Sequence, residues 1–408
     1  MDSILSTPAS SDLIGQSDGE TVSEPILGNN TAQPIHLAFL DGVRGIAAFY
    51  VFIYHLWQLV CVTNGDKCPH WFSGLGFIEY GHFAVDVFIV LSGFCLMLPL
   101  AKGNMTSFPK GIPNFLRRRA IRILPPYYAA LVLSIALVML IPSIRHLQDK
   151  EYALYDRSTF TASILSHIFL VHNLWYQLAH RINAPMWSVA TEWQIYFIFA
   201  FILLPLRNRM GVFAPIVFGF IFGAITAKYG LFQANFWFVG AFALGMAAAE
   251  ISFAPKYRAF AHRAPLGVLA GFAVLLAAAV VYVLRHKQGA IVFIGEDFVV
   301  ALATTATLAY CSEIARDPMH RLVPATAVYR IFSHPIPVGL GRFSYSLYLV
   351  HFPLVCISVS LASMFGFNFR ESLGWAIFVV IPAIVGISYI FFTCFERPFL
   401  NLRAATAK

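Results

Sequence analysis

Two ionisable side chains in the first long apolar stretch have types and a spacing that suit proton chemistry. Arg44 lies at the start of this stretch, and His55 lies eleven residues later, deep within it. Eleven steps of about 100° return nearly to the same helix face with a rise of roughly 16 Å, so the two side chains share a face without touching. Histidine is the side chain best suited to accept a proton near neutral pH. The alternatives are interfacial snorkelling of Arg44 and an ordinary buried role for His55.

Two carboxylates occupy comparable positions in other apolar stretches. Asp86 lies about two turns inside the second stretch, at a depth close to that of His55. We therefore expect Asp86, or alternatively Glu192, to orient the imidazole and stabilise its charged form. Glu192 opens a later stretch four residues after Ser188 and shares a helix face with it. Its alternative role is that of a carboxylate in a first helical turn. His351, in a late stretch, is a second-rank candidate for the same cavity.

Four arginines precede the third apolar stretch: Arg117, Arg118, Arg119 and Arg122. A guanidinium presents a planar fork to phosphate oxygens, so the cluster favours a ligand with several phosphates, such as CoA. The alternative is a signal that keeps this helix end in the cytoplasm. The sequence contains no glycine-rich nucleotide loop and no metal-ligand spacing. We therefore expect a co-substrate rather than a permanently bound cofactor, and no metal site.

Helices in a membrane must position these side chains. Apolar residues make up 59% of the chain and charged residues only 12%, whereas a soluble domain carries about 25% charged residues. The apolar residues arrive in blocks of about 20, long enough to cross roughly 30 Å of hydrocarbon as helix. The blocks are continuous rather than alternating, which argues against a membrane β-barrel. We predict an all-α, polytopic membrane bundle, in which the net charge of +8 reflects orientation and an anionic ligand rather than nucleic acid.

The distribution of Lys and Arg predicts the topology. Eleven apolar candidates lie near 43–63, 81–101, 121–141, 161–178, 187–206, 211–228, 232–252, 265–284, 290–311, 339–365 and 373–395. Basic linkers place both termini in the cytoplasm, which requires an even number of spans. The weakest candidate is 161–178, which contains two histidines, an asparagine and a glutamine. We predict that it does not cross, which leaves about ten transmembrane helices.

The chain divides into one membrane domain and two tails. Residues 1–36 are rich in Ser, Thr, Asp, Gly and Pro, which predicts a disordered cytoplasmic tail. The membrane domain covers 37–400, and 401–408 form a short cytoplasmic tail. Cys61 and Cys68 flank a short polar loop and can form a disulfide if that loop faces an oxidising compartment.

Several motifs together resemble the acyltransferase-3 family of integral membrane acyltransferases. They are Leu40-Asp41-Gly42-Val43-Arg44-Gly45 with His55, Val85-Asp86-Val87-Phe88 running to Ser92-Gly93-Phe94, Arg119-Ala120-Ile121-Arg122, Trp187-Ser188 with Glu192, Ser344-Tyr345-Ser346-Leu347-Tyr348-Leu349, and Glu396-Arg397-Pro398. Each motif alone is weak, but their joint order is specific. The match covers about residues 37–400. One departure is that three arginines in a row approach the third span.

The resemblance implies an acyl-CoA donor, commonly acetyl-CoA, and a catalytic role for Arg44 and His55. It implies an O-acyltransferase that moves an acyl group to a hydroxyl of a sugar or a secondary metabolite. The overall pattern is similar to a fungal member. From the residues alone, a multi-pass transporter or flippase that uses the same charged cavity is the main alternative, and a scaffold without chemistry is a third.

Overall fold

A computed structural model describes most of the chain. It covers residues 37–63, 70–142, 144, 160–287, 289–316 and 326–401. The predicted tail 1–36 and nearly all of the predicted segment 401–408 lie outside the described residues. Cys61 is disulfide-bonded, and its predicted partner Cys68 also lies outside them.

Helices form all of the regular structure in the described residues. The first nine are α1 (Ala38–Thr63), α2 (Ala84–Lys102), α3 (Gly111–Leu140), α4 (Phe160–Ile168), α5 (Tyr176–Ala179), α6 (Met186–Ile198), α7 (Leu204–Met210), α8 (Phe213–Lys228) and α9 (Phe238–Phe253). The others are α10 (Arg258–Arg263), α11 (Leu266–Leu284), α12 (Ala290–Arg316), α13 (Ala327–Phe332), α14 (Pro335–Gly341), α15 (Ser344–Met364), α16 (Phe369–Trp375) and α17 (Ile381–Phe391). Short 3₁₀ helices include His70–Phe83 before α2 and His172–Leu174 between α4 and α5.

The predicted polytopic helical bundle is confirmed. Within the described ranges, nine helical segments are long and apolar enough to cross a membrane, and α8 is a further apolar helix of 16 residues. The predicted candidate 161–178 is not a continuous helix, because α4, a 3₁₀ turn and α5 divide it. As expected, this segment lacks a helix of spanning length. The cytoplasmic placement of the termini stays a prediction.

Small residues allow helix α9 to pack in the centre of the bundle. Its apolar window is 83% buried, whereas the window of α11 is only 22% buried. Gly93 of α2 and Gly245 of α9 lie at the contact: a Cβ on Gly93 would lie 2.0 Å from Phe242 O, and one on Gly245 would lie 1.9 Å from Val90 O. Such close backbone approach is typical of small residues between membrane helices. The expectation that Ser92-Gly93 favours close packing is met by Gly93.

A buried ion pair ties α7, α9 and the loop before α3 together. Arg207 donates to both carboxylate oxygens of Glu250, at 2.8 and 2.9 Å, and Lys256 lies 2.8 Å from the same carboxylate. Arg207 also donates to Met105 O at 3.3 Å, and the neighbouring Asn208 donates to Thr106 O at 2.6 Å. These bonds hold the loop that leads into the arginine cluster.

We expect Glu250→Ala to destabilise the protein by about 3–5 kcal/mol, because the change leaves the Arg207 charge buried without its carboxylate. The two side chains are only 7% and 1% exposed. Thermal unfolding in detergent measures the effect. Glu79→Ala, at an exposed position, is the matched control and should leave the unfolding temperature unchanged. Equal shifts for both variants would contradict a structural role for this ion pair.

Three π-helical turns interrupt the long helices. Phe199–Leu203 joins α6 to α7, Ala376–Val380 joins α16 to α17, and Phe392–Glu396 follows α17. Such turns occur often near functional sites. The last of them ends at buried Glu396, which accepts a hydrogen bond from Ser346 Oγ at 2.5 Å. The end of the final long helix is therefore attached to α15.

Candidate active site

Five helices enclose a cavity with an empty volume of about 810 Å³. They are α1, α2, α3, α6 and α15, the helices that carry five of the motifs identified in the sequence. Its ionisable lining consists of Arg44, Arg119, Arg122 and Glu192 together with hydroxyl-bearing and thiol side chains. The hydroxyl groups belong to Ser92, Ser188, Tyr196, Ser344, Tyr345 and Tyr348. Three guanidinium groups thus face one carboxylate, which makes the cavity attractive to an anionic ligand.

Close packing of α1 directs Arg44 into this cavity. A Cβ on Gly42 would lie 1.7 Å from Phe332 O, and one on Gly45 would lie 2.1 Å from Pro337 O. The two glycines therefore form the face on which α13 and α14 rest. Arg44 lies on another face of α1, where its Nη1 donates to Asp41 Oδ1 at 2.9 Å and its Nη2 donates to Cys95 Sγ at 2.9 Å.

Helical geometry divides the arginine cluster of α3. Arg119 and Arg122 are three residues apart, so they share a face, and both line the cavity. Arg117 is exposed and Arg118 is half-buried, and neither lines the cavity. The expectation that all four arginines form one clamp is therefore corrected: two face the cavity, and two lie outside its lining because they precede it on other faces of the helix.

Hydroxyl groups connect the acidic side chain and α15 across the cavity. Glu192 accepts a hydrogen bond from Tyr196 OH at 2.6 Å. The Ser188 and Tyr348 hydroxyls lie 2.6 Å apart, and Tyr348 OH donates to Pro185 O at 3.0 Å. These bonds hold α6 against α15 and leave Glu192 beside the cavity with its charge partly balanced by Arg44, which experiences its field.

His55 forms a pair with His351 rather than with a carboxylate. His351 Nδ1 lies 3.1 and 2.8 Å from the carbonyl oxygens of Leu347 and Tyr348, so for a neutral ring it carries the proton and Nε2 is an acceptor. His55 Nδ1 lies 2.9 Å from Val51 O and 3.1 Å from His351 Nε2, and both partners accept. The proton of His55 is therefore on Nδ1, which leaves a lone pair on Nε2.

The histidine pair adjoins the cavity through Tyr348. The ring centroids of Tyr348 and His351 lie 5.8 Å apart, and those of His351 and His55 lie 5.1 Å apart. His55 is 8% exposed and is not part of the cavity lining. Arg44 and His55 thus have separate positions, as their spacing predicts.

The expected pair of Asp86 with His55 does not form. Asp86 is 1% exposed, and its Oδ1 has no hydrogen-bond partner within the described chain. The neighbouring charge is Asp297 of α12, which accepts a hydrogen bond from Trp237 Nε1 at 2.6 Å. Depth along a helix does not determine the face, and Asp86 faces α12. Glu192 does not bond to His55 either, since it bonds to Tyr196 instead.

Comparison with known proteins agrees with this arrangement. Residues 37–393 match the family described as "Acyltransferase domain". The chain belongs to the acyltransferase-3 family. It is 25% identical over 352 residues to a putative O-acetyltransferase of Staphylococcus aureus (strain COL), covering 78% of this chain and 50% of that protein. It is 24% identical to O-acetyltransferase OatA of Staphylococcus aureus (strain NCTC 8325 / PS 47), covering 79% and 51%.

This acyltransferase-3 chain spans about half the length of the curated relatives it matches. No solved structure matches it significantly.

In this acyltransferase-3 chain, sequence reasoning underrated α15. It ranked His351 second and gave no role to Tyr348. A usable signal was present, because Ser344, Tyr348 and His351 are spaced by four and three residues and so lie along one helix face. Cys95 was interpreted as a core residue, although it lines the cavity and contacts Arg44.

Proposed function

We propose that this protein is a membrane O-acyltransferase that moves an acyl group, most simply acetyl, from acyl-CoA to a hydroxyl of an acceptor. The main supporting observation is one cavity with three guanidinium groups that adjoins a buried histidine pair. The names of the related proteins refer to O-acetyl transfer by those proteins, and this agrees with the proposal. The acceptor is a sugar or a secondary metabolite.

The donor binds through the arginines. Arg119 and Arg122 contact phosphate oxygens of CoA, and Arg44 lies further along the path of the pantetheine arm. Arg117 and Arg118, outside the cavity lining, attract the remaining phosphates. A cavity of about 810 Å³ is within the usual range for small-molecule pockets, roughly 300–1,000 Å³. On the distribution of basic residues, we place this end of the bundle and both termini on the cytoplasmic side.

His55 acts as the general base. Its Nε2 takes the proton from the acceptor hydroxyl, and the oxygen attacks the thioester carbonyl carbon. The new carbon–oxygen bond forms, the carbon–sulfur bond breaks, and the proton passes from His55 to the departing CoA sulfur. His351 is a positioning residue, because its Nε2 accepts from His55 Nδ1 and so keeps the lone pair on Nε2 of His55. We assign no step to Asp86, and Glu192 balances the charge of Arg44.

The proposal is tested with radiolabelled acetyl-CoA. Membranes that contain the protein, and matched membranes that lack it, are incubated with the labelled donor and a crude extract of host small molecules and glycans. Label that appears on a compound only with the protein supports the proposal and identifies the acceptor. CoA binding is measured in parallel. A protein that is intact but does not bind CoA would contradict the proposal and favour a transporter.

A further inference from the structure

A second pocket lies beyond the histidine pair, along the same two helices. Following α1, the order is Arg44 in the cavity, then His55, then Leu56 and Val60 in the second pocket. Following α15, the order is Tyr348 in the cavity, then His351, then Ser358 and Val359 in the second pocket. Helices α1 and α15 pack directly against each other. The histidine pair therefore lies between two separate spaces.

The distances along the helices suit a shared reaction centre. Val60 is five residues beyond His55, a rise of about 7–8 Å, and Ser358 is seven residues beyond His351, a rise of about 10 Å. Leu56, which directly follows His55, itself lines the second pocket. A molecule the size of one sugar ring that fills this pocket can extend one hydroxyl toward His55.

The lining of the second pocket combines free hydroxyl groups with aromatic rings. Ser372 is only 5% exposed, and its hydroxyl makes no hydrogen bond among the described contacts although it lines the pocket. Ser358 accepts a hydrogen bond from Trp375 Nε1 at 3.0 Å, and Ser363 lines the same space. The rings of Phe367 and Trp375 lie 5.9 Å apart. A buried hydroxyl without a partner is costly, so a polar ligand that bonds to it is favoured.

We propose that this second pocket binds the acceptor, and that the acceptor presents a single polyhydroxylated ring of the sugar type. The apolar C–H face of such a ring packs on Trp375 and Phe367, and its hydroxyls bond to the three serines. The empty volume of about 530 Å³ admits one ring and excludes a macrolide-sized molecule. The inference rests on the proposed function, and the hydroxyl proton passes through His55 to the CoA sulfur as described there.

The test uses the full-length protein in lipid nanodiscs, radiolabelled acetyl-CoA, and methyl glycosides of glucose, mannose and N-acetylglucosamine as acceptor probes. We expect Ser372→Ala to raise the KM for the glycoside about 2- to 10-fold, the effect of one lost hydrogen bond. The dissociation constant for CoA should stay unchanged. Ser372→Phe, which fills the pocket, should abolish transfer while CoA still binds. Ser360→Ala is the matched control, because that hydroxyl donates to Cys356 O and lies outside the pocket lining.

The outcomes separate this inference from the proposed function. Unchanged glycoside KM values in Ser372→Ala, together with active Ser372→Phe, would overturn the acceptor site while leaving the acyltransferase intact. Transfer to compounds of a host extract but to none of the glycosides would overturn the sugar class. A wild-type protein that neither binds CoA nor transfers acetyl would reject the proposed function itself. If Ser372→Phe fails to fold, as judged by CoA binding, Ser372→Ala decides.

Discussion

Replacing His55 with alanine is expected to lower acyl transfer by about 10²–10⁴-fold, the usual effect of losing a general base. The change removes the Nε2 lone pair that accepts the hydroxyl proton, but it leaves all three cavity arginines in place. The dissociation constant for CoA should therefore stay within about twofold of the wild-type value, since no donor contact is lost. Initial rates with labelled acetyl-CoA, and equilibrium binding of CoA to the same preparation, measure the two effects separately.

His262→Ala is the control for this prediction. His262 is an exposed histidine that lies 3.4 Å from Glu313 and far from the cavity lining. This variant should transfer acyl groups at the wild-type rate. If His55→Ala kept more than a tenth of the wild-type rate, the base would have to be another group. If donor alone labelled the wild-type protein at His55, a two-step route through an acyl-histidine would replace direct attack.

Replacing both Arg119 and Arg122 with alanine is expected to weaken CoA binding by on the order of 10²–10⁴-fold. Each hydrogen bond to a charged group contributes about 1.5–3 kcal/mol, and these two guanidiniums line the cavity from one face of α3. Titration of CoA onto the purified protein in nanodiscs measures the loss. Lysine at the two positions should restore only part of the affinity, because an ammonium lacks the planar fork that binds two phosphate oxygens.

Arg117→Ala is the matched control for the double variant. Arg117 belongs to the same cluster, carries the same charge and is exposed outside the cavity lining. Its loss should weaken CoA binding only slightly, and the effect should disappear at high salt because an exposed charge is screened. An equal loss for Arg117→Ala and the double variant would mean that CoA contacts the outer surface of α3 rather than the cavity.

Composition and periodicity were sufficient to predict most of the fold. Continuous apolar blocks can only form helices in lipid, so the spanning helices follow the sequence candidates. The polar residues of 161–178 also correctly indicated a segment without a spanning helix. What these patterns do not contain is lateral packing. Nothing in the sequence around Gly245 indicates that α9 contacts α2 so closely, because close approach depends on a glycine in each helix.

The candidate site shows the same division between position along a helix and direction around it. The depth of Asp86 was estimated adequately, yet its side chain faces Asp297 rather than His55. The correct partner of His55 is His351, which comes 296 residues later in the chain. A depth estimate gives one coordinate of a side chain. The angular coordinate depends on which helices are neighbours, and that requires the assembled bundle.

The π-helical turn Phe392–Glu396 makes the last helix sensitive to length rather than to composition. A π turn accommodates extra chain in a helix that is otherwise α. Removing one residue from it would restore a uniform α-helix and rotate everything beyond the deletion by about 100°. Glu396 would then swing away from Ser346, to which it is bonded at 2.5 Å. A one-residue deletion here should be more harmful than most substitutions at the same positions, because it changes the phase of the helix.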